Sequence, residues 1–216
     1  MGELVVVRHG QASFGADNYD KLSDLGHEQA HLAGEVLRAT GWEPDRLVTG
    51  TLVRQRETMA SMGYKSTADS HAGFNEYDFH DLLRARFGGD VPIDVMQDRK
   101  THFRTLRETI YDWQAGGLPD ARESWAEFVT RTEAARSFAI DSAAEKVLVV
   151  SSGGVIGQLV AASLGALPKQ MMTLNLQVKN TSITRFIFSK RAFFLHEFNA
   201  TPHLAAKDRA HLLSYS

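Results

Sequence analysis

The chain has 216 residues, 43% hydrophobic and 23% charged, a balance that supports one sizeable core and, by default, one domain. Lys and Arg number 24 against 26 Asp and Glu, a formal net charge of −2 without a long run of one sign, so charge gives no support to a nucleic-acid or membrane-surface partner. With no cysteine, disulfides, thiolate metal sites and a cysteine nucleophile are excluded, and a reducing compartment is suited.

The opening "MGELVVVRHG" has neither a basic leader nor a long apolar core, position 6 does not fit a myristoylation pattern, and no apolar run is long enough for a bilayer. The expectation is a soluble cytoplasmic protein. Residues 3–8, "ELVVVR", read as a buried strand, and 25–41 as a helix with Ala30, Ala33 and Leu37 facing inward and Gly41 as its stop. A second strand follows at 45–50 and a second helix at 51–64, ended by Gly63. Residues 66–80 look irregular or weakly extended. Two longer amphipathic helices are predicted over 95–116 and 122–143, the first stopped by Gly116 and Gly117. Then come a strand at "KVLVV" and a helix from Gly153 to Leu164. Segments 181–189 and 191–199 pair as a hairpin across Lys190 and Arg191, without the Gly or Asn that a tight turn favours. The tail, 200–216, is polar and expected to be loose. Strands alternating with helices, without repeat or linker, give one α/β domain over residues 1–216.

One motif misleads. "HEQAH" at 27–31 matches the helical zinc pattern His-Glu-x-x-His. The inward face of that helix is already occupied by Ala30, Ala33 and Leu37, and no third ligand stands at a usual distance downstream. The pattern is better read as the polar face of an amphipathic helix, and no metal is expected.

The chemistry gathers elsewhere. Arg8, His9 and Gly10 end the first strand, and in an open α/β sheet the C-terminal strand ends line the ligand crevice. A neutral imidazole is a nucleophile, and a neighbouring guanidinium binds phosphate bidentately. Arg54 and Thr58 share one face of the second helix, with Arg54 about one turn from its N-terminus, a favourable place for an anion. Arg56 reads as a surface residue. Glu76 lies in an irregular segment, where a carboxyl near an anion site serves as a general acid.

The strings "VVVRHGQAS", "LSDLGHEQAHLAGEVL", "TLVRQRETMA", "FNEYD", "VLVVSSGGVI" and "NTSITRF" resemble, in order and spacing, the histidine phosphatase superfamily in its phosphoglycerate mutase-like branch. The likeness covers about residues 3 to 190. It implies a three-layer, open, mostly parallel sheet flanked by helices. It further implies that His9 becomes phosphohistidine, that Arg8 and Arg54 bind phosphate, and that Glu76 protonates the leaving group, with no cofactor. Ser152 and Gly153 then belong to the phosphate pocket. The expected partner is a small phosphorylated molecule.

Two positions depart from the pattern. Where the family carries a second histidine this chain has Ser152, a shorter, neutral donor, and losing one transition-state donor costs about 3–4 kcal/mol. The Asn that many relatives place six residues after the nucleophile falls on Gly15, leaving Gln11 or Ser13 as candidate phosphate contacts. His80, four residues after Glu76, is a candidate to fill the space beside Ser152. Ser152 as a nucleophile is disfavoured, because the Gly two residues before an elbow serine is missing. Residues 77–120 do not resemble the loops with which mutases keep water out, so a phosphatase is expected; a mutase and a binder without turnover are the alternatives.

Overall fold

The computed structural model describes residues 1–13 and 20–215. Its centre is a sheet of six strands in the order β3-β2-β4-β1-β5-β6. Strand β1 (Gly2–Arg8) and strand β4 (Lys146–Ser151) lie side by side in parallel, Arg8 opposite Ser151. Both are nearly continuous apolar runs, as strands covered on both faces must be. Strand β2 (Arg46–Thr49) continues the parallel set beyond β4, and β3 (Asp69–Ser70) ends it. On the other side β5 (Ile183–Ser189) and β6 (Ala192–Ala200) add antiparallel strands, joined by the expected two-residue turn.

Alternate side chains of β1 face two separate layers. Val5 and Val7 pack with Ala30, Ala33 and Leu37 of α1 (Asp24–Ala39) and Met59 of α2 (Val53–Ser61). Leu4 and Val6 lie in the larger cluster on the other face. That cluster holds Leu82 of α3 (Phe79–Phe87), Ile110 of α5 (Arg99–Gln114), Phe128 of α6 (Trp125–Ile140) and Met171 of α8 (Pro168–Asn175). It also holds Ile156 of α7 (Gly153–Ser163). The chain after β1 therefore leaves toward one face and the chain after β4 toward the other. Between two such adjacent strands a crevice opens at their C-terminal ends. Among the described residues, no helix is long and apolar enough to cross a membrane.

Three expectations need correction. The helix predicted over 95–116 is two: a short α4 (Ile93–Gln97) stops at Asp98, whose carboxylate accepts from the N–H of Thr101 and so starts α5 afresh. Helices α3 and α8 arise in stretches that the periodicity left unassigned, α3 between the Asp78 cap and Gly88, at φ 62°, and α8 with Pro168 in its first turn. The tail is not loose. Leu204 and Leu212 bury against Leu32 of α1, and Gln29 donates to the Leu212 carbonyl at 2.6 Å and to Ser214 Oγ at 2.9 Å. A polar composition hid three short anchors.

Candidate active site

Backbone contacts fix the end of β1. The His9 N–H donates to the Ser151 carbonyl of β4 at 2.9 Å, and the His9 carbonyl accepts from Asn180 Nδ2 at 3.1 Å. Gly10 has no room for a side chain, since a Cβ there would lie 2.4 Å from the Gly26 carbonyl oxygen at the start of α1. The Gly10 N–H donates to Thr58 Oγ1 at 2.9 Å, and that hydroxyl donates to the Arg54 carbonyl at 2.7 Å, so Thr58 ties α2 to the loop that follows His9.

His9 is buried, and its Nδ1 lies 2.8 Å from the Gly10 carbonyl oxygen. A carbonyl only accepts, so Nδ1 carries the proton and Nε2 keeps its lone pair. Arg54 Nε approaches that lone pair at 3.2 Å. Burial first, then the guanidiniums of Arg54 and Arg8, hold the pKa of His9 well below the ordinary imidazole value. These influences favour the neutral ring, with its free nitrogen facing Arg54. Arg54 Nη1 also pairs with Asp20 at 2.7 Å. Arg8 is anchored by donating from Nη1 to the Val178 carbonyl and, at 3.0 Å, to the Tyr215 carbonyl of the tail.

Glu76 meets the start of α7. Its Oε2 accepts from the Gly154 N–H at 3.0 Å, and its Oε1 accepts from the Tyr77 N–H at 3.2 Å. A Cβ on Gly154 would lie 2.3 Å from Glu76 Oε1, and one on Gly153 would lie 2.5 Å from Asn175 Oδ1, so these glycines let Glu76 and Asn175 reach the helix end. Burial raises the pKa of Glu76, and it outweighs the opposing pull of the Gly154 N–H and of Arg54 and Arg8. The arrangement is an unprotonated imidazole beside two guanidiniums and a carboxyl biased toward its protonated form.

A model of the histidine phosphatase superfamily, branch 1, matches residues 4–201. The chain belongs to that superfamily. A curated 2,3-bisphosphoglycerate-dependent phosphoglycerate mutase from Chelativorans sp. (strain BNC1) is 38% identical over 63 residues, a stretch spanning 26% of this chain and only 31% of that relative. Phosphoserine phosphatase from Entamoeba histolytica, solved as a mutant with phosphoserine, superposes with a TM-score of 0.68 at 18% identity, over 94% of this chain and all of that one (100%). Mycobacterial glucosyl-3-phosphoglycerate phosphatase gives 0.69 at 22% over 93% and 100%, and the α-ribazole phosphatase of Shigella flexneri 0.67 at 21% over 92% and 96%. At these identities the likeness establishes the fold, an α/β sheet flanked by helices as expected, with six strands of which β5 and β6 run antiparallel.

Not every candidate residue of this superfamily member meets at the site. His9 and Arg54 share a hydrogen bond, Arg8 and Arg54 act electrostatically on both His9 and Glu76, and Glu76 is bonded to Gly154, the neighbour of Gly153. Gln11 and Ser13 are engaged with the start of α1: Gln11 Oε1 accepts from Ser23 Oγ at 2.9 Å, and Ser13 Oγ donates to the Leu22 carbonyl at 2.8 Å. Gly15 lies outside the described residues. His80 is exposed on the first turn of α3, and among the described residues no hydrogen bond links it to Ser152. The group that does touch Ser152 is Gln55, whose Nε2 donates to Ser152 Oγ at 2.9 Å. Neither Gln55 nor Asp20 carried a sequence signal, since each gains its meaning only from the residue it faces. The zinc-like pair is dispersed: His27 bonds Ser61 at 2.8 Å, and His31 pairs with Glu35 at 3.4 Å.

Proposed function

We propose that this histidine phosphatase hydrolyses a phosphate monoester through a phosphohistidine intermediate on His9. The observation that carries the reading is the His9 tautomer, with Nδ1 tied to its own loop carbonyl and the Nε2 lone pair beside Arg54. Nε2 attacks phosphorus and the ester P–O bond breaks, while Glu76 gives its proton to the leaving oxygen. Arg8 and Arg54 offset the charge on the equatorial oxygens, Arg54 turning from imidazole to phosphoryl group. Water then attacks the phosphohistidine, Glu76 takes its proton, and inorganic phosphate leaves His9 neutral again.

Hydrolysis is favoured over mutase transfer because the sequence of residues 77–120, which forms α3 to α5, does not resemble the water-excluding loops of mutases. Small phosphorylated metabolites are the substrate class that fits a guanidinium-lined crevice. A second reading, a phospho-ligand binder without turnover, is favoured by Ser152 alone, since a neutral hydroxyl stands where the family has a second imidazole. Incubation with 32P-labelled phosphoesters, followed by an alkaline denaturing quench, separates them. Label on the wild type that is absent from His9→Ala supports the enzyme; phosphate binding without label or product supports the binder.

A further inference from the structure

Gln55 is fully buried on the first turn of α2, next to Arg54. Its Nε2 donates to the Phe74 carbonyl at 2.8 Å and to Ser152 Oγ at 2.9 Å, and its Oε1 faces the Leu52 N–H at 3.4 Å. The amide has one workable orientation. Flipped, its oxygen would oppose the Phe74 carbonyl oxygen and its nitrogen would face a donor. Both amide protons are therefore committed, one to Phe74 and one to Ser152.

This leaves Ser152 a single role. Its oxygen accepts from Gln55, so its own proton needs another acceptor. The Phe74 carbonyl is already taken twice, by Gln55 and by Ser151 Oγ at 2.8 Å, so both its lone pairs are used. Ser152 occupies the N-cap position of α7 yet makes no cap bond. Among the described residues nothing accepts its proton, although the residue is wholly buried. A buried donor without an acceptor is costly to keep unless a ligand completes it. Ser152 sits one residue past Ser151, whose carbonyl holds the His9 N–H, and one before Gly153, which packs on Arg8. In the chain Ser152 thus stands between the residue that holds His9 and the glycine beside Arg8, where a bound phosphoryl oxygen would supply the acceptor.

Resting on the phosphoryl-transfer reading above, we infer that Gln55 is a positioning residue that holds Ser152 as an obligate hydrogen-bond donor to a phosphoryl oxygen. In this chain a Gln–Ser pair does the orienting and donating that the family assigns to one imidazole. His80 has no part in it.

The test is a double-mutant cycle of Ser152→Ala and Gln55→Met, read by orthovanadate titration, by kcat and KM, and by urea midpoint. Gln55→Met keeps the bulk but frees one lone pair of the Phe74 carbonyl, toward which the Ser152 proton can turn. Each single variant is expected to weaken orthovanadate binding and kcat about 10²-fold, the scale of one oxyanion donor. The double variant should match Ser152→Ala within about twofold, because Gln55 acts through Ser152. Additive losses, or a shifted urea midpoint with affinity unchanged, overturn the proposal. Should Gln55→Met not fold, Ser152→Ala and Ser152→Thr decide. Unchanged affinity in the alanine variant overturns it, while loss in alanine and retention in threonine supports it. Orthovanadate bound with the Ser152→Ala penalty by a chain that hydrolyses no ester would sink the hydrolase reading and leave this inference standing. No orthovanadate binding by the wild type overturns both.

Discussion

Replacing His203 by Gln should remove a pH-dependent loss of stability that originates in the tail. His203 is only 2% exposed, in the short turn Pro202–Leu204. Thr181 Oγ1 donates to the Asn180 carbonyl at 2.7 Å, so its 2.9 Å contact with His203 Nε2 is donated by the ring. Nδ1 then keeps a lone pair, and no described residue offers it a partner. Burial, with Arg209 nearby, lowers the pKa of this histidine from 6.5 to about 4. The unfolded chain therefore binds a proton that the folded one refuses. Stability is full above the unfolded value and falls as the pH drops toward the folded one. For one such site linkage gives a loss of about 2 kcal/mol at pH 5 and about 3 kcal/mol at pH 4, levelling below that. Gln retains a donor for Thr181 and does not titrate. Urea unfolding followed by the fluorescence of the 3 tryptophans compares the two proteins from pH 7 to pH 4. His9 and Glu76 titrate in both and cancel in the difference. The wild type should lose about 2 kcal/mol more than the variant between pH 7 and pH 5. A difference that stays constant with pH would refute a docked, neutral His203.

Glu76→Gln should cost about 10²–10⁴ in kcat on alkyl phosphates, whose leaving oxygen needs the proton, and far less in the pre-steady-state burst on p-nitrophenyl phosphate. Equal losses would remove Glu76 from the role of acid. In the wild type, burial lowers the pKa of His9 and raises that of Glu76, so on the proposed mechanism turnover of alkyl phosphates should fall at low pH as His9 protonates and at high pH as Glu76 ionises; the variant should lack the alkaline limb on those substrates. Asp20→Asn frees Arg54 of a charge 2.7 Å away, while the Asn oxygen can still accept from the Val53 N–H. Phosphate should bind about fivefold tighter by calorimetry, from a partly buried pair worth about 1 kcal/mol, and unchanged affinity would show that Asp20 does not compete. Gly154→Ala would set a Cβ 2.3 Å from Glu76 Oε1 and 2.4 Å from Tyr77 Cε1. Overpacking of about 1–3 kcal/mol should lower Tm together with kcat, and an unchanged Tm would contradict the close packing.

What the sequence discloses depends on how locally each feature is encoded. Strands β1 and β4 are legible because burial on both faces leaves a continuous apolar run, and α1 because Ala30, Ala33 and Leu37 recur at helical spacing. Arg8 and His9 are legible because their place follows from the end of a recognisable strand. The break at Asp98 was hidden by periodicity running through it, and only the cap bond to Thr101 marks two helices. The tail was misjudged for the opposite reason: Leu204, Leu212 and His203 are isolated contacts without a period, and their docking depends on Gln29 and Thr181, far away in the chain. His80 was an inference about space, and that space belongs to Gln55, a residue no local pattern distinguishes.

The same long-range contacts tie the candidate site to parts of the chain that look unrelated to it. Arg8 is held on one side by the Val178 carbonyl and on the other by the Tyr215 carbonyl of the tail. Asn180, which donates to the His9 carbonyl, is itself held through Ser214, since the Asn180 N–H donates to the Ser214 carbonyl and Ser214 Oγ donates to Asn180 Oδ1 at 2.9 Å. Gln29 of α1 donates to Ser214 Oγ and accepts from the Gln11 N–H, closing a path from the tail to the loop that follows His9. Each bond is modest alone, about 1 kcal/mol, but together they restrict both the guanidinium and the loop behind the imidazole. In-line transfer needs reacting atoms positioned to a fraction of an ångström, and a misplacement of about 1 Å costs roughly 10²-fold. On the proposed mechanism, docking of residues 202–215 is therefore part of the geometry that positions Arg8 and His9, and the acid-sensitive His203 lies within the segment that supplies it.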